Sequence, residues 1–233
     1  MTAVFRRELK SFFCRLSSYV FLGLFLCTVG LFMLLYNFSY GNTGFEYPLS
    51  MLCVSLAMLL PLISNGIFVR ERHRDVERFL GALPISPMDL IAGKLLAMLS
   101  VLGLLTLGLG ICPLILNSYG EVYFKTSYAA LLAFFLIGSA FLCIDFFLAL
   151  TVRSRTLLWT LSYAIPVAMI GVGYLSQYLP HSVANVVSYL SFFSGYTPFG
   201  LGVFDLRSVA VWCSVSAIFI VLSIRFSDRI RRS

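Results

Sequence analysis

The chain has 233 residues, 60% of them hydrophobic and only 12% charged. Soluble domains carry about a quarter charged residues, so this composition excludes a soluble enzyme or binding module and points to an all-α polytopic membrane protein. The net charge of +7 reads as a topology signal and not as a nucleic-acid footprint, and no nucleic-acid partner is expected.

One crossing needs about 20 apolar residues. The length therefore accommodates about six crossings within a single transmembrane domain, 1–233, and no separate soluble domain. Residues 2–16 are too charged to cross. Phe5, Leu9, Phe12, Phe13 and Leu16 recur at helical spacing, while Arg6, Arg7, Lys10, Cys14 and Arg15 fall elsewhere. That pattern describes an N-terminal amphipathic helix lying in the interface with its basic face on anionic headgroups. A basic flank that merely orients the first span explains it as well. No A-x-A cleavage pattern follows the first apolar run, so the run is read as a span and not as a removable signal.

The spans are predicted at about 18–38, 47–69, 92–116, 128–150, 157–179 and 207–225. Arg6, Arg7, Lys10 and Arg15 precede the first, and Arg225, Arg229, Arg231 and Arg232 close the sixth. Alternating the connections between two sides gathers every basic residue except Lys125 and Arg207 on one side. By the positive-inside rule that side is cytoplasmic, with both termini on it. Pro61 and Pro166 lie inside the second and fifth spans and should kink them. Ser64 and Asn65, within a turn of Pro61, are placed to satisfy the freed backbone groups.

The connection at 70–91, with the Gly93-Lys94 that follows it, is the most charged stretch of the chain. Val76, Phe79, Leu80 and Leu83 form one apolar stripe on a short helix, ringed by Arg72, Arg74, Asp75, Glu77 and Arg78. Pro84 ends that helix, since it lacks an N–H and clashes with the preceding turn. Ser86, Pro87 and Asp89 then carry the pattern of a capped helix start, running directly into the third span. A mixed-charge amphipathic helix suits a groove on another protein. By pattern alone, a solvated loop that sets topology is equally good.

Asp145 is the only acid well inside a span, about 8 Å from the predicted cytoplasmic end of the fourth at 1.5 Å per residue. It is either a polar site on a transport path or proton relay, or a carboxylate satisfied by a neighbouring helix, by water, or by Arg70, Lys94 or Arg153. The long fifth connection, 180–206, combines helical spacing at Val183, Val186, Val187, Leu190 and Phe193 with Gly195, Pro198, Gly200 and Gly202. It is predicted as an external re-entrant segment of short helices, with Tyr189, Phe193, Tyr196 and Phe199 as a gate. Irregular backbone at that depth needs protein or water around it.

The six cysteines include no C-x-x-C and mostly lie in apolar runs, so they read as small packing residues. His73 and His181 fall on opposite sides of the predicted membrane. No catalytic, cofactor-binding or metal-binding residue is predicted.

Glu77, Phe79-Leu80, Leu83-Pro84-Ile85-Ser86 and Gly93-Lys94 together resemble the signature of type-2 ATP-binding-cassette transporter permeases. In that family a Gly-Thr-x-Glu-Leu-Leu-like helix, a Pro-Val/Ile-Ser corner and a Gly-Lys follow the second span. The stretch Phe199-Gly200-Leu201-Gly202-Val203-Phe204-Asp205-Leu206-Arg207 is similar to the segment before the last span in the gliding-motility and nitrous-oxide-reductase-maturation permeases. One departure is Asp75-Val76, where the family has Gly-Thr. The resemblance implies an elbow helix at 2–16, six spans, and a coupling helix at about 72–84 docked on a separate cytoplasmic ATPase. Its contact residues are Arg72, Asp75, Val76, Glu77, Arg78, Phe79, Leu80, Leu83 and Pro84. It also implies two ATPase subunits holding ATP and Mg, a second permease copy or a paralogous permease, and residence in a prokaryotic inner membrane.

The chain has no phosphate-binding G-x-x-x-x-G-K-[ST]: Gly93-Lys94 is followed by Leu95, and Met88 stands where the first Gly belongs. It is therefore expected to be a transport subunit and not itself an enzyme or a cofactor carrier. An ion-coupled secondary transporter is the alternative, although such proteins usually carry internal repeats around a midplane site. A non-transporting membrane anchor for an ATPase is the other.

Overall fold

In lipid the backbone must satisfy its own hydrogen bonds, so apolar runs of this length fold as helices. The computed structural model describes residues 2–71, 87–152, 154–175 and 193–232, and these are helical with short connections and no strand among them. In chain order the helices are α1 (Thr2–Phe13), α2 (Leu16–Met33), α3 (Glu46–Glu71), α4 (Pro87–Leu109), α5 (Cys112–Leu116), α6 (Phe124–Thr151), α7 (Arg155–Leu175), α8 (Thr197–Gly200) and α9 (Leu206–Arg232). Six stretches are long and apolar enough to cross a membrane: Leu16–Phe38, Glu46–Asn65, Ile91–Leu116, Phe124–Thr151, Arg155–Gly173 and Leu206–Ser227. They make this a multi-pass membrane protein.

Three boundaries depart from the hydropathy pattern. The first crossing does not end as a regular helix but widens into a π-helical turn at Leu34–Phe38. There Asn37 donates through Nδ2 to the carbonyls of Asn42 (2.7 Å) and Gly44 (2.9 Å), pinning the connection to α3. The third crossing is broken. Helix α4 stops at Leu109, and α5 restarts with Pro113 near its beginning. Pro113 cannot donate to the carbonyl of Leu109 and its ring crowds that carbonyl, so the continuous 92–116 helix is interrupted. The last helix runs on to Arg232, well past the apolar stretch, because charged residues beyond the hydrocarbon are good helix formers.

Helix α6 is the centre of the bundle. It is apolar on every side, the pattern of a buried helix, and 67% of its most apolar window is buried, against 11% for α9. Helices α3, α4, α7, α8 and α9 all pack on it. Small residues permit the close approaches. A Cβ at Gly138 would stand 2.8 Å from Leu56 of α3 and 3.1 Å from Leu102 of α4, and Ala130, Ala133 and Ala140 are fully buried beside it.

Helix α1 lies against α4. Its buried positions are Val4, Glu8 and Phe12, with Phe5 and Leu9 half-buried. The predicted apolar face is thus turned by about one position. Phe13 is exposed, and Leu16 is not on α1 at all: it is the first residue of α2 and is 81% exposed. The helix rotates toward Val4 because Gly93 leaves room for it. A Cβ there would meet the Val4 side chain at 2.9 Å.

Candidate functional site

Ser162 of α7 and Asn65 of α3 are both fully buried, facing α6 at the depth of Asp145. Asn65 Nδ2 approaches Ser162 Oγ at 3.5 Å. The Ser162 hydroxyl in turn hydrogen-bonds to the Asp145 carboxylate, which is 5% exposed. Three helices thus meet through one polar chain, Asn65–Ser162–Asp145. The Oδ1 of Asn65 is buried with no partner among the described residues. Pro166 lies four residues after Ser162 and lacks the N–H that would pair the Ser162 carbonyl, which leaves another acceptor in this part of α7.

Buried polar groups are costly unless paired. A lone carboxylate held by a hydroxyl, with spare oxygen acceptors nearby, is a place for a proton or a small cation. The surrounding prolines act differently from their sequence-based expectation. Ser64 donates to the Leu60 carbonyl at 3.3 Å, within its own turn, and the Asn65 side chain turns to α7. Neither caps the Ala57 carbonyl that Pro61 frees. Of the basic partners considered for Asp145, Lys94 sits elsewhere, while Arg153 and the Arg70 side chain lie outside the described residues. Among the described residues Asp145 forms no ion pair.

At the end of the bundle away from the termini, residues 193–200 pack against α6 and Trp212 of α9. Phe193 stacks on Phe141 at 5.6 Å. Phe141 lies seventeen residues into α6, about 25 Å from its start at 1.5 Å per residue, so this segment reaches deep into the bundle. Tyr196 is buried and donates to the Glu46 carbonyl at 2.9 Å. Burial holds its phenol well above the ordinary tyrosine range, so it remains a neutral donor. Phe199 is fully buried, 5.7 Å from Trp212 of α9. Gly195 fits because a Cβ would lie 2.9 Å from Ser208 Oγ and 3.0 Å from the Trp212 ring. Three of the four predicted gate residues, Phe193, Tyr196 and Phe199, therefore serve as packed wedges. Tyr189 lies outside the described residues.

At the opposite end, Glu8 of α1 and Lys94 of α4 are 5% and 6% exposed and line one small cavity with Phe12 and Met98. Arg7 of the same helix holds Glu8, at 2.7 Å. This foot joins α1 to the helix that leads out of the charged connection. The proposed docking residues themselves, Arg72, Asp75, Val76, Glu77, Arg78, Phe79, Leu80, Leu83 and Pro84, lie outside the described residues.

Ser162 carries no sequence pattern of its own, Asn65 is marked only by its place within a turn of Pro61, and Lys94 only as half of Gly93-Lys94. Glu8 leaves a trace as a lone acid among the basic residues of 2–16, in register with Val4 and Phe12. No family model matches the chain, and no curated protein matches it either.

Proposed function

We propose that this chain is the membrane-spanning permease subunit of an ATP-binding-cassette exporter. It would pair with a second permease and be driven by two separate cytoplasmic ATPases that hold the ATP and Mg. The observation that carries this reading is the charged connection at 70–91. Its apolar stripe at Val76, Phe79, Leu80 and Leu83, its Pro84 corner and the following Gly93-Lys94 together resemble the coupling element of type-2 permeases. The packing supports it. The connection joins α3 to α4, and both helices pack on the central α6. A push on the connection therefore acts on the middle of the bundle. The Gly93-Lys94 pair seats α1 on the root of α4, so an elbow helix would move with the same lever.

Co-expression with the chain's genomic neighbours tests the reading. The expected result is a stable complex with an ATPase bearing a phosphate-binding loop, and loss of that complex in Phe79→Asp and Leu83→Asp variants that still insert in the membrane. Purification without any ATPase, together with transport driven by an ion gradient, would overturn it.

The buried Asn65–Ser162–Asp145 chain favours a second reading, an ion-coupled transporter, since a lone carboxylate beside spare oxygen acceptors suits a coupling ion. Reconstituted vesicles separate the two. Under the second reading an imposed proton or sodium gradient drives uptake without ATP, and Asp145→Asn abolishes it.

A further inference from the structure

Helix α1 is tied to the bundle near both of its ends. Near its start, Val4 fits against Gly93, two residues into the crossing Ile91–Leu116. Past its last residue, Phe13, the chain enters the crossing Leu16–Phe38 within three residues. These are the first and third crossings, which run in the same direction, so both ties lie on one side of the membrane. A helix fastened to the first residues of two crossings is held at the level where hydrocarbon meets water.

The face that α1 leaves open is cationic. Glu8, the one acid of residues 2–16, is buried with Val4 and Phe12 and is bonded to Arg7. Arg6 and Lys10, one turn apart, are exposed, and neither has an ion-pair partner among the described residues. Beside them runs an apolar stripe at every fourth residue: Phe5 and Leu9 are half-buried and Phe13 is exposed. Past the corner, Leu16 and Val20 of α2 continue it as exposed apolar surface. Two uncompensated cations beside an apolar strip match an anionic headgroup that carries acyl chains. The cations draw the phosphate, while their aliphatic stems and the strip take the chains. A zwitterionic lipid has no net charge to offset two cations, and a free phosphate has nothing to place on Phe13 and Leu16.

We propose that α1 lies along the membrane surface and binds an anionic phospholipid, with Arg6 and Lys10 on its phosphate and Phe13, Leu16 and Val20 along its acyl chains. The surface belongs to this chain alone, so its test is independent of any ATPase. The full chain in dodecyl maltoside is mixed with equal amounts of dioleoyl phosphatidylglycerol and dioleoyl phosphatidylcholine, and the retained lipids are counted by native mass spectrometry. The expected result is preferential retention of phosphatidylglycerol. That preference should fall about fivefold in Arg6→Gln and again in Lys10→Gln, the scale of one cation at an anionic membrane surface, and by more than tenfold in the double variant. Both side chains are exposed, so the variants should keep the wild-type melting temperature. Arg225→Gln, which removes an exposed cation of α9, should leave the preference as it is. Glycerol phosphate, which lacks acyl chains, should not displace the lipid at equal concentration. Equal retention of the two lipids by the wild-type chain overturns the proposal, as does an equal loss in Arg225→Gln or displacement by glycerol phosphate. Any of these leaves α1 as a helix that only packs on α4.

Discussion

Asp145 sits within two turns of the end of α6, where the helix is already inside the bundle. A buried carboxylate costs stability unless its oxygens are bonded, and removing one partner of such a group costs more than removing the charge. Two substitutions should therefore act in opposite directions. Ser162→Ala strips the hydroxyl that holds both Asp145 and Asn65 and should destabilise the protein by about 1–3 kcal/mol. Asp145→Asn keeps the shape, removes the charge, and should leave the melting temperature unchanged or higher. Thermal unfolding by circular dichroism in one detergent orders the two. If Asp145→Asn were the more damaging, the carboxylate would be a stabilising element and not a functional one. The acid itself is conspicuous in the sequence as the one carboxylate deep in an apolar run. Its partners are not, because Asn65 and Ser162 reach it from other helices and no local spacing rule links them.

Among the helices, α9 shows how a connection becomes a defined start. Asp205 accepts the Arg207 N–H through Oδ1 at 3.1 Å and the Ser208 hydroxyl through Oδ2 at 2.7 Å. It thereby satisfies donors that a first turn otherwise leaves open. The Ser208 hydroxyl, with the backbone N–H groups of Arg207 and Ser208 adding to it, holds the Asp205 carboxyl below its ordinary value of 3.8. A depressed folded-state value means that its stabilising contribution is complete above pH 3.8 and is lost as pH falls through the lower, folded value. Hydrogen exchange over residues 207–210 should show this. Asp205→Ala should exchange faster than wild type near neutral pH, and the difference should vanish on strong acidification. A difference that persisted on strong acidification would remove the carboxylate from the cap. The break between α4 and α5 carries a related lesson. Gly110 and Pro113 are plain in the sequence, but averaged hydropathy runs across them, whereas the backbone cannot.

For the molecule as a whole, residues 193–200 and α9 close on α6 through Phe199 and Trp212. Trp212 is 1% exposed, so Trp212→Ala should cost about 3–5 kcal/mol, the range for emptying a large aromatic site. Ile218→Ala on the same helix, at a 56% exposed position, should be nearly silent. Melting temperatures in nanodiscs measure both. Near-equal effects would mean that the segment does not depend on α9.

Composition and apolar run length alone establish a helical protein with six crossings, since lipid offers the backbone no other way to bond and each crossing needs its length of apolar residues. They also expose the connection between α3 and α4 as the most charged stretch of the chain. They leave open which face each helix buries, because apolar residues on every side give α6 no preferred direction. The turn of α1 toward Gly93, the Asn65–Ser162–Asp145 chain and the Glu46–Ser127 hydrogen bond all arise where helices distant in sequence meet. Packing of side chains in three dimensions decides those contacts, and no periodicity along the chain encodes them.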